Sequence, residues 1–185
     1  VLFRSNGTGG TGGSPGETVS HGINLYGASL STSGGGDISL TGTGGPQGGY
    51  GVVSTNSAIT SDTGAISATG TGGSGSGDLN GLVFDGNPGE PGSRSLFSGS
   101  TVLLQGIGGT VNTLSPTAFY GGTGILLTNG ASIEGQFISI NASGASFAAA
   151  FNPNDGTMVS RGLVVSNQRS EEHTSELQSQ FRISY

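Results

Sequence analysis

Short apolar runs of two to four residues recur along this chain, each opened by glycine and closed by serine, threonine or glycine. Within a run, apolar and polar positions often alternate, which is the period of a β-strand with one face inward. Two units align almost without gaps. The first runs from Gly22-Ile23-Asn24-Leu25 through Leu30 to Asp37-Ile38-Ser39-Leu40-Thr41-Gly42-Thr43-Gly44-Gly45. The second runs from Gly51-Val52-Val53-Ser54 through Ile59 to Ala65-Ile66-Ser67-Ala68-Thr69-Gly70-Thr71-Gly72-Gly73. The elements return less regularly as Gly81-Leu82-Val83-Phe84 with Val102-Leu103-Leu104-Gln105-Gly106, then as Gly124-Ile125-Leu126-Leu127 with Ile138-Ser139-Ile140-Asn141, and a fifth unit opens at Gly162-Leu163-Val164-Val165.

The leading glycines Gly22, Gly51, Gly81, Gly124 and Gly162 are 29, 30, 43 and 38 residues apart, a spacing typical of stacked repeat architectures. Each unit has too few apolar runs for a four-stranded propeller blade, so the pattern predicts a β-solenoid. The predicted core is Ile23 with Leu25, Ile38 with Leu40, Leu82 with Phe84, Ile125 with Leu127, Ile138 with Ile140, and Leu163 with Val165. Ser39, Ser67 and Ser139 are expected outside, stacked as a polar ladder. In the second unit Ser54 stands at the place of Leu25 and Ala68 at that of Leu40, which predicts a thinner level or one shifted by a residue. Thr41-Gly42-Thr43 and Thr69-Gly70-Thr71 would suit an ice-binding threonine ladder only on flat strand, and the glycines after them argue for a turn instead.

Composition narrows the partners. The chain has 39 glycines, no cysteine and a net charge of −6, and all five of its basic residues are arginine. A basic stripe for nucleic acid or anionic membrane cannot be built from that inventory. Without cysteine there is no disulfide framework or thiolate site. No run approaches the length of a transmembrane helix.

The two ends differ from the rest. Arg169-Ser170-Glu171-Glu172-His173-Thr174-Ser175-Glu176-Leu177-Gln178-Ser179 resembles the translation of a common short-read sequencing adapter, and Ile183-Ser184-Tyr185 resembles its next constant stretch. Val1-Leu2-Phe3-Arg4-Ser5 resembles the opposite adapter. The chain is therefore expected to divide into an adapter-like segment 1–5, a glycine-rich linker or partial level 6–20, the repeats 21–168 and an adapter-like, non-native tail 169–185, with the natural part expected to be a piece of something longer.

Units that start Gly-apolar and end Ile-Ser-apolar-Thr-Gly-Thr-Gly-Gly resemble the passenger repeats of filamentous haemagglutinin-like and related autotransporter adhesins. The resemblance covers about Gly22 to Gln168 and rests on pattern. It implies an all-β, right-handed parallel β-helix of about five partial levels with loop insertions, exported by a Gram-negative-type bacterium and displayed at the cell surface.

Catalysis on this architecture would take the form of a polysaccharide lyase or hydrolase, which needs clustered carboxylates. Asp37, Asp62, Asp78, Asp85 and Asp155 fall in different repeats and mostly in turns, where aspartate caps backbone. His21, the one histidine among the repeats, reads as a surface turn residue, and with no partner ligand it makes a transition-metal site improbable. Gly72-Gly73-Ser74-Gly75-Ser76-Gly77-Asp78-Leu79 approaches a calcium-binding nonapeptide, but Gly77 stands where aspartate is required, so it reads as a glycine-rich linker. No cofactor is implied. Asn6-Gly7-Thr8 and Asn141-Ala142-Ser143 match a glycosylation acceptor pattern that arises readily in a chain rich in serine and threonine.

Recognition is expected in three insertions: Asn87 to Ser95 with Glu90 and Arg94, Thr110 to Thr123 with Phe119 and Tyr120, and Ala145 to Arg161 with Phe147, Phe151 and Asp155. These aromatics suit stacking on sugars or packing on a partner, or else they fold back over the core edge. The expected function is a structural or adhesive segment without catalysis, with surface glycans or proteins of a host or neighbouring cell as partners. A calcium-binding repeat segment and the polysaccharide enzyme are the alternatives. No cap is visible at either end, so self-association through open solenoid ends is also expected. If 169–185 is foreign sequence, deleting it leaves the thermal melting transition unchanged, which a melt followed by circular dichroism checks.

Overall fold

The computed structural model describes residues 2–9, 20–75, 79–86, 94–111, 119–120, 122–147 and 158–166. Every named element among them is a β-strand. β1 (Phe3–Thr8) precedes the first repeat, which supplies β2 (Ile23–Tyr26), β3 (Ser29–Thr32) and β4 (Ile38–Thr43). The second supplies β5 (Val52–Thr55), β6 (Ala58–Ser61), β7 (Ala65–Thr71) and β8 (Ser74–Gly75), and the third β9 (Leu82–Asp85), β10 (Leu96–Ile107), β11 (Thr110–Val111) and β12 (Phe119–Tyr120). The fourth supplies β13 (Ile125–Thr128), β14 (Ser132–Ser143), β15 (Ser146–Phe147) and β16 (Met158–Val159), and the fifth β17 (Leu163–Ser166).

Strands pair between repeats, in parallel and in register. The first ladder is β2-β5-β9-β13-β17, with Ile23 beside Val52, Val52 beside Leu82, Leu82 beside Ile125 and Ile125 beside Leu163. Its spacing is that of the leading glycines. A second ladder joins β3, β6 and the first parts of β10 and β14, and a third joins β1, β4, β7 and the remainders of β10 and β14. The apolar residues of the three ladders meet in one core that includes Ile23, Ile38, Leu40, Ile59, Ile66, Phe84, Phe97 and Leu104. Burying each such side chain contributes roughly 1.5–3 kcal/mol.

What sets the thickness of this core is a glycine seam. An added Cβ on Gly7, Gly42, Gly70 or Gly106, all in the third ladder, would overlap the carbonyl oxygen of Gly22, Gly51, Gly81 or Gly124 respectively. A Cβ on Gly22, Gly51 or Gly81 would in turn run into the backbone nitrogen of Thr43, Thr71 or Ile107. The third-ladder strand of one repeat thus lies backbone against backbone on the start of the next.

That seam corrects the reading of the Thr-Gly-Thr segments. Both lie within strands, β4 and β7, with Gly42 and Gly70 inward and buried. Thr41 pairs with Thr69 and Thr43 with Thr71 along the outer face. Glycine serves here for close approach, not for a bend. The threonine columns continue as Gln105 with Ile107 and as Asn141 with Ser143, so they stop being threonine after the second repeat. The glycosylation-like Asn6-Gly7-Thr8 and Asn141-Ala142-Ser143 occupy the same strand positions. The expected serine ladder is likewise interrupted, because Leu103 stands between Ser67 and Ser139.

The second repeat is thinner but not shifted. Ser54 stays level with Leu25 and Phe84, and Ala68 with Leu40 and Leu104, both buried. Phe84 and Phe97 fill the third repeat with ring centroids 4.2 Å apart. The predicted core fails in its last members. Ile138 is 38% and Val165 58% exposed, and Ile140 and Leu163 are partly buried, because no described strand lies on the far side of β14 or β17. β1 begins within the adapter-like segment, with Phe3, Arg4 and Ser5 beside Ile38, Ser39 and Leu40. Ladder hydrogen bonds use backbone groups, so this pairing is indifferent to side chain.

The seam carries a prediction. Gly70→Ala is expected to lower stability by at least about 2 kcal/mol through overpacking against Gly81. Gly34→Ala, in a turn at φ +63° with open space around it, costs only about 1 kcal/mol of backbone strain. Urea unfolding of the two variants beside the parent measures the difference.

Candidate functional site

The three aspartates in the described residues each accept a hydrogen bond from a neighbouring repeat. Asp37 Oδ1 accepts from the Ala65 N–H at 2.7 Å, Asp62 Oδ2 from the Gly34 N–H at 3.3 Å, and Asp85 Oδ1 from Asn129 Nδ2 at 2.7 Å. Asp37 and Asp62 lie between the second and third ladders, whereas Asp85 closes the first. Among the described residues no three histidine, cysteine, aspartate or glutamate side chains gather in a way that could hold a metal ion. No helix there is long and apolar enough to cross a membrane.

Of the proposed recognition residues, Glu90, Phe151 and Asp155 lie outside the described residues, as does Asp78 of the calcium-like segment. Arg94 is exposed. Its neighbour Ser95 is fully buried, its Oγ lying 2.8 Å from the Ser54 carbonyl and 2.7 Å from the Asp85 carbonyl, which share its single O–H, and this pins the end of the first insertion. The other two insertions are not loops throughout. β11 pairs with β15 and β12 with β16, so Val111 lies beside Phe147, Phe119 beside Met158 and Tyr120 beside Val159. β8 extends the first of these pairs, so Ser74 and Gly75 of the glycine-rich linker are strand. Insertions in successive repeats stack for the same reason that the repeats do: an unpaired backbone group is costly.

His21 is more than a turn residue. It is half-buried and stacks on Tyr50 with ring centroids 4.7 Å apart, while its Nδ1 accepts the Tyr50 N–H at 3.1 Å. That acceptor role requires the neutral ring, and burial lowers its pKa. Two repeats on, Asn80 Oδ1 does the same for the Thr123 N–H at 2.7 Å. The sequence signal was the position before each leading glycine.

One groove stands out where the second ladder meets the third, with a volume of about 490 Å³. Asp62 and Thr63 form one side, and Ser98 to Ser100 with Gly135 and Gln136 form the other. It arises from a difference in corner length. Ile59 and Ile66 pair with Phe97 and Val102, so seven residue steps in the second repeat face five in the third. β10 and β14 each continue through this corner as a single strand, whereas the second repeat breaks there between β6 and β7. Phe137 follows Gln136 and is 59% exposed on the outer face. Sequence reading placed recognition in the long insertions and missed this groove, whose signal was a shortening.

No protein-family model, curated protein or solved structure matches this chain.

A histidine whose folded pKa is depressed contributes stability that is present above its unfolded value, about 6.5, and is lost as pH falls through the folded pKa. The melting temperature of the parent should thus drop more between about pH 7.5 and about pH 5 than that of His21→Asn, which keeps an uncharged acceptor as Asn80 does. Equal drops in the two proteins would show that the ring's protonation does not matter.

Proposed function

We propose that the three ladders are the faces of a right-handed parallel β-helix, and that the chain is a structural and adhesive repeat segment of a large secreted or surface-displayed bacterial protein. The observation that carries this reading is the in-register pairing of five successive repeats, each adding one strand to the first ladder. A stack of that kind lengthens by adding repeats and presents long outer faces. Right-handedness is the rule for connections between parallel strands of one sheet. The resemblance to haemagglutinin-like passenger repeats supports export to the cell surface, and glycans or proteins of host or neighbouring cells are the proposed partners.

Self-association is part of the same proposal. β14 and β17 carry partly exposed apolar side chains, and the chain has no lysine to discourage edge pairing.

Beads coated with the full chain should bind epithelial or bacterial cells above the level of albumin-coated beads. Polygalacturonate and alginate incubated with the chain should keep their length. Turnover that disappears in Asp85→Ala or Asp155→Ala would replace this reading with the polysaccharide enzyme. Absence of bead binding would remove the adhesive part.

A further inference from the structure

We propose that the groove between Asp62 and Gln136 binds a neutral oligosaccharide, an inference that rests on the adhesive reading and gives it a location. Its volume, about 490 Å³, lies within the range of small-ligand clefts. Its lining is mostly hydrogen-bonding and uncharged: the hydroxyls of Thr63, Ser98 and Ser100 and the amide of Gln136, while the buried Ser61 hydroxyl holds the turn by donating to the Gly36 carbonyl and accepting the Gly64 N–H. Donors and acceptors that close together are what a polyol requires.

Charge selects within the sugars. Among the described residues of the lining, Asp62 is the one that is charged and none is cationic. An acidic sugar would meet a carboxylate with nothing to offset it, so a uronic or sialic acid is disfavoured. A carboxylate that accepts from sugar hydroxyls gives strong, directional bonds. Asp62 also accepts from Gly34 of the repeat below, which fixes the turn bearing it.

Phe137 supplies the apolar partner. It pairs with Thr101, which pairs with Ala65, and it directly follows Gln136 of the groove lining along the chain. A ring left 59% exposed beside a polar groove offers a flat surface to the C–H face of a pyranose. Ser100 Oγ donates to the Gly64 carbonyl at 3.0 Å, which ties the two sides of the groove together before any ligand arrives.

The test uses the full chain and titration calorimetry with cellohexaose, laminarihexaose and maltohexaose, and polygalacturonate as the anionic control. At least one neutral oligosaccharide should bind saturably and more tightly than polygalacturonate. Phe137→Ala and Gln136→Ala, both at exposed positions, should each weaken it about tenfold or more. Asp62→Ala should do so as well, whereas Leu103→Ala, elsewhere on the same outer face, should leave the affinity unchanged. Circular dichroism melts confirm that each variant folds. Absence of saturable binding by all three, affinity untouched by Phe137→Ala and Gln136→Ala, or preference for polygalacturonate would each overturn the proposal. Bead adhesion that persists alongside such a result would show that the groove fails while the adhesive reading stands. Groove binding without bead adhesion would show the converse.

Discussion

Backbone packed directly on backbone is the constraint from which the rest of this structure follows. Where Gly42 lies on Gly51, Gly70 on Gly81 and Gly106 on Gly124, there is no room for a single methyl group. The third-ladder strand of each repeat is therefore held against the start of the next. The apolar side chains Ile38, Leu40, Ile59, Ile66, Phe84 and Phe97 pack together in one core with Leu82 and Ile125, which reach the seam glycines Gly70 and Gly106. The seam repeats because pairing is in register, and register holds because a slip of one residue would turn every inward glycine into an outward one.

Stacking in register has a second consequence. Features that two neighbouring repeats share reinforce each other, and features they do not share leave relief on the surface. The matched insertions of the third and fourth repeats extend into β11-β15 and β12-β16. The mismatched corners of the second and third repeats instead leave the groove beside Asp62. The polar groups that bridge repeats, at Asp37, Asp62, His21 and Asn80, each give a neighbouring backbone N–H an acceptor where the ladders turn. Such bonds are modest singly, about 1 kcal/mol each, but an unsatisfied buried N–H would cost more.

Much of the fold was legible in the residues. Alternation of Ile38 and Leu40 around Ser39 states which side faces in, and Gly22, Gly51, Gly81, Gly124 and Gly162 mark the register that the first ladder uses. The same local reading misassigned Thr41-Gly42-Thr43, because glycine beside glycine looks alike whether it serves a bend or a close approach. It also overstated the burial of Ile138 and Val165. Burial of a strand depends on what lies on both sides of it, and no local pattern contains that.

The sequence by itself determined the β-character, the spacing of the leading glycines, the acidic and lysine-free composition and the absence of thiolate chemistry, because each of these is a property of residue identity and spacing along the chain. Only the tertiary structure decided what touches what between repeats: the glycine seam, the His21–Tyr50 stack, the pairing of the insertions and the groove between Asp62 and Gln136. Those depend on contacts between residues about thirty or more positions apart, whose meeting is set by how successive repeats superpose.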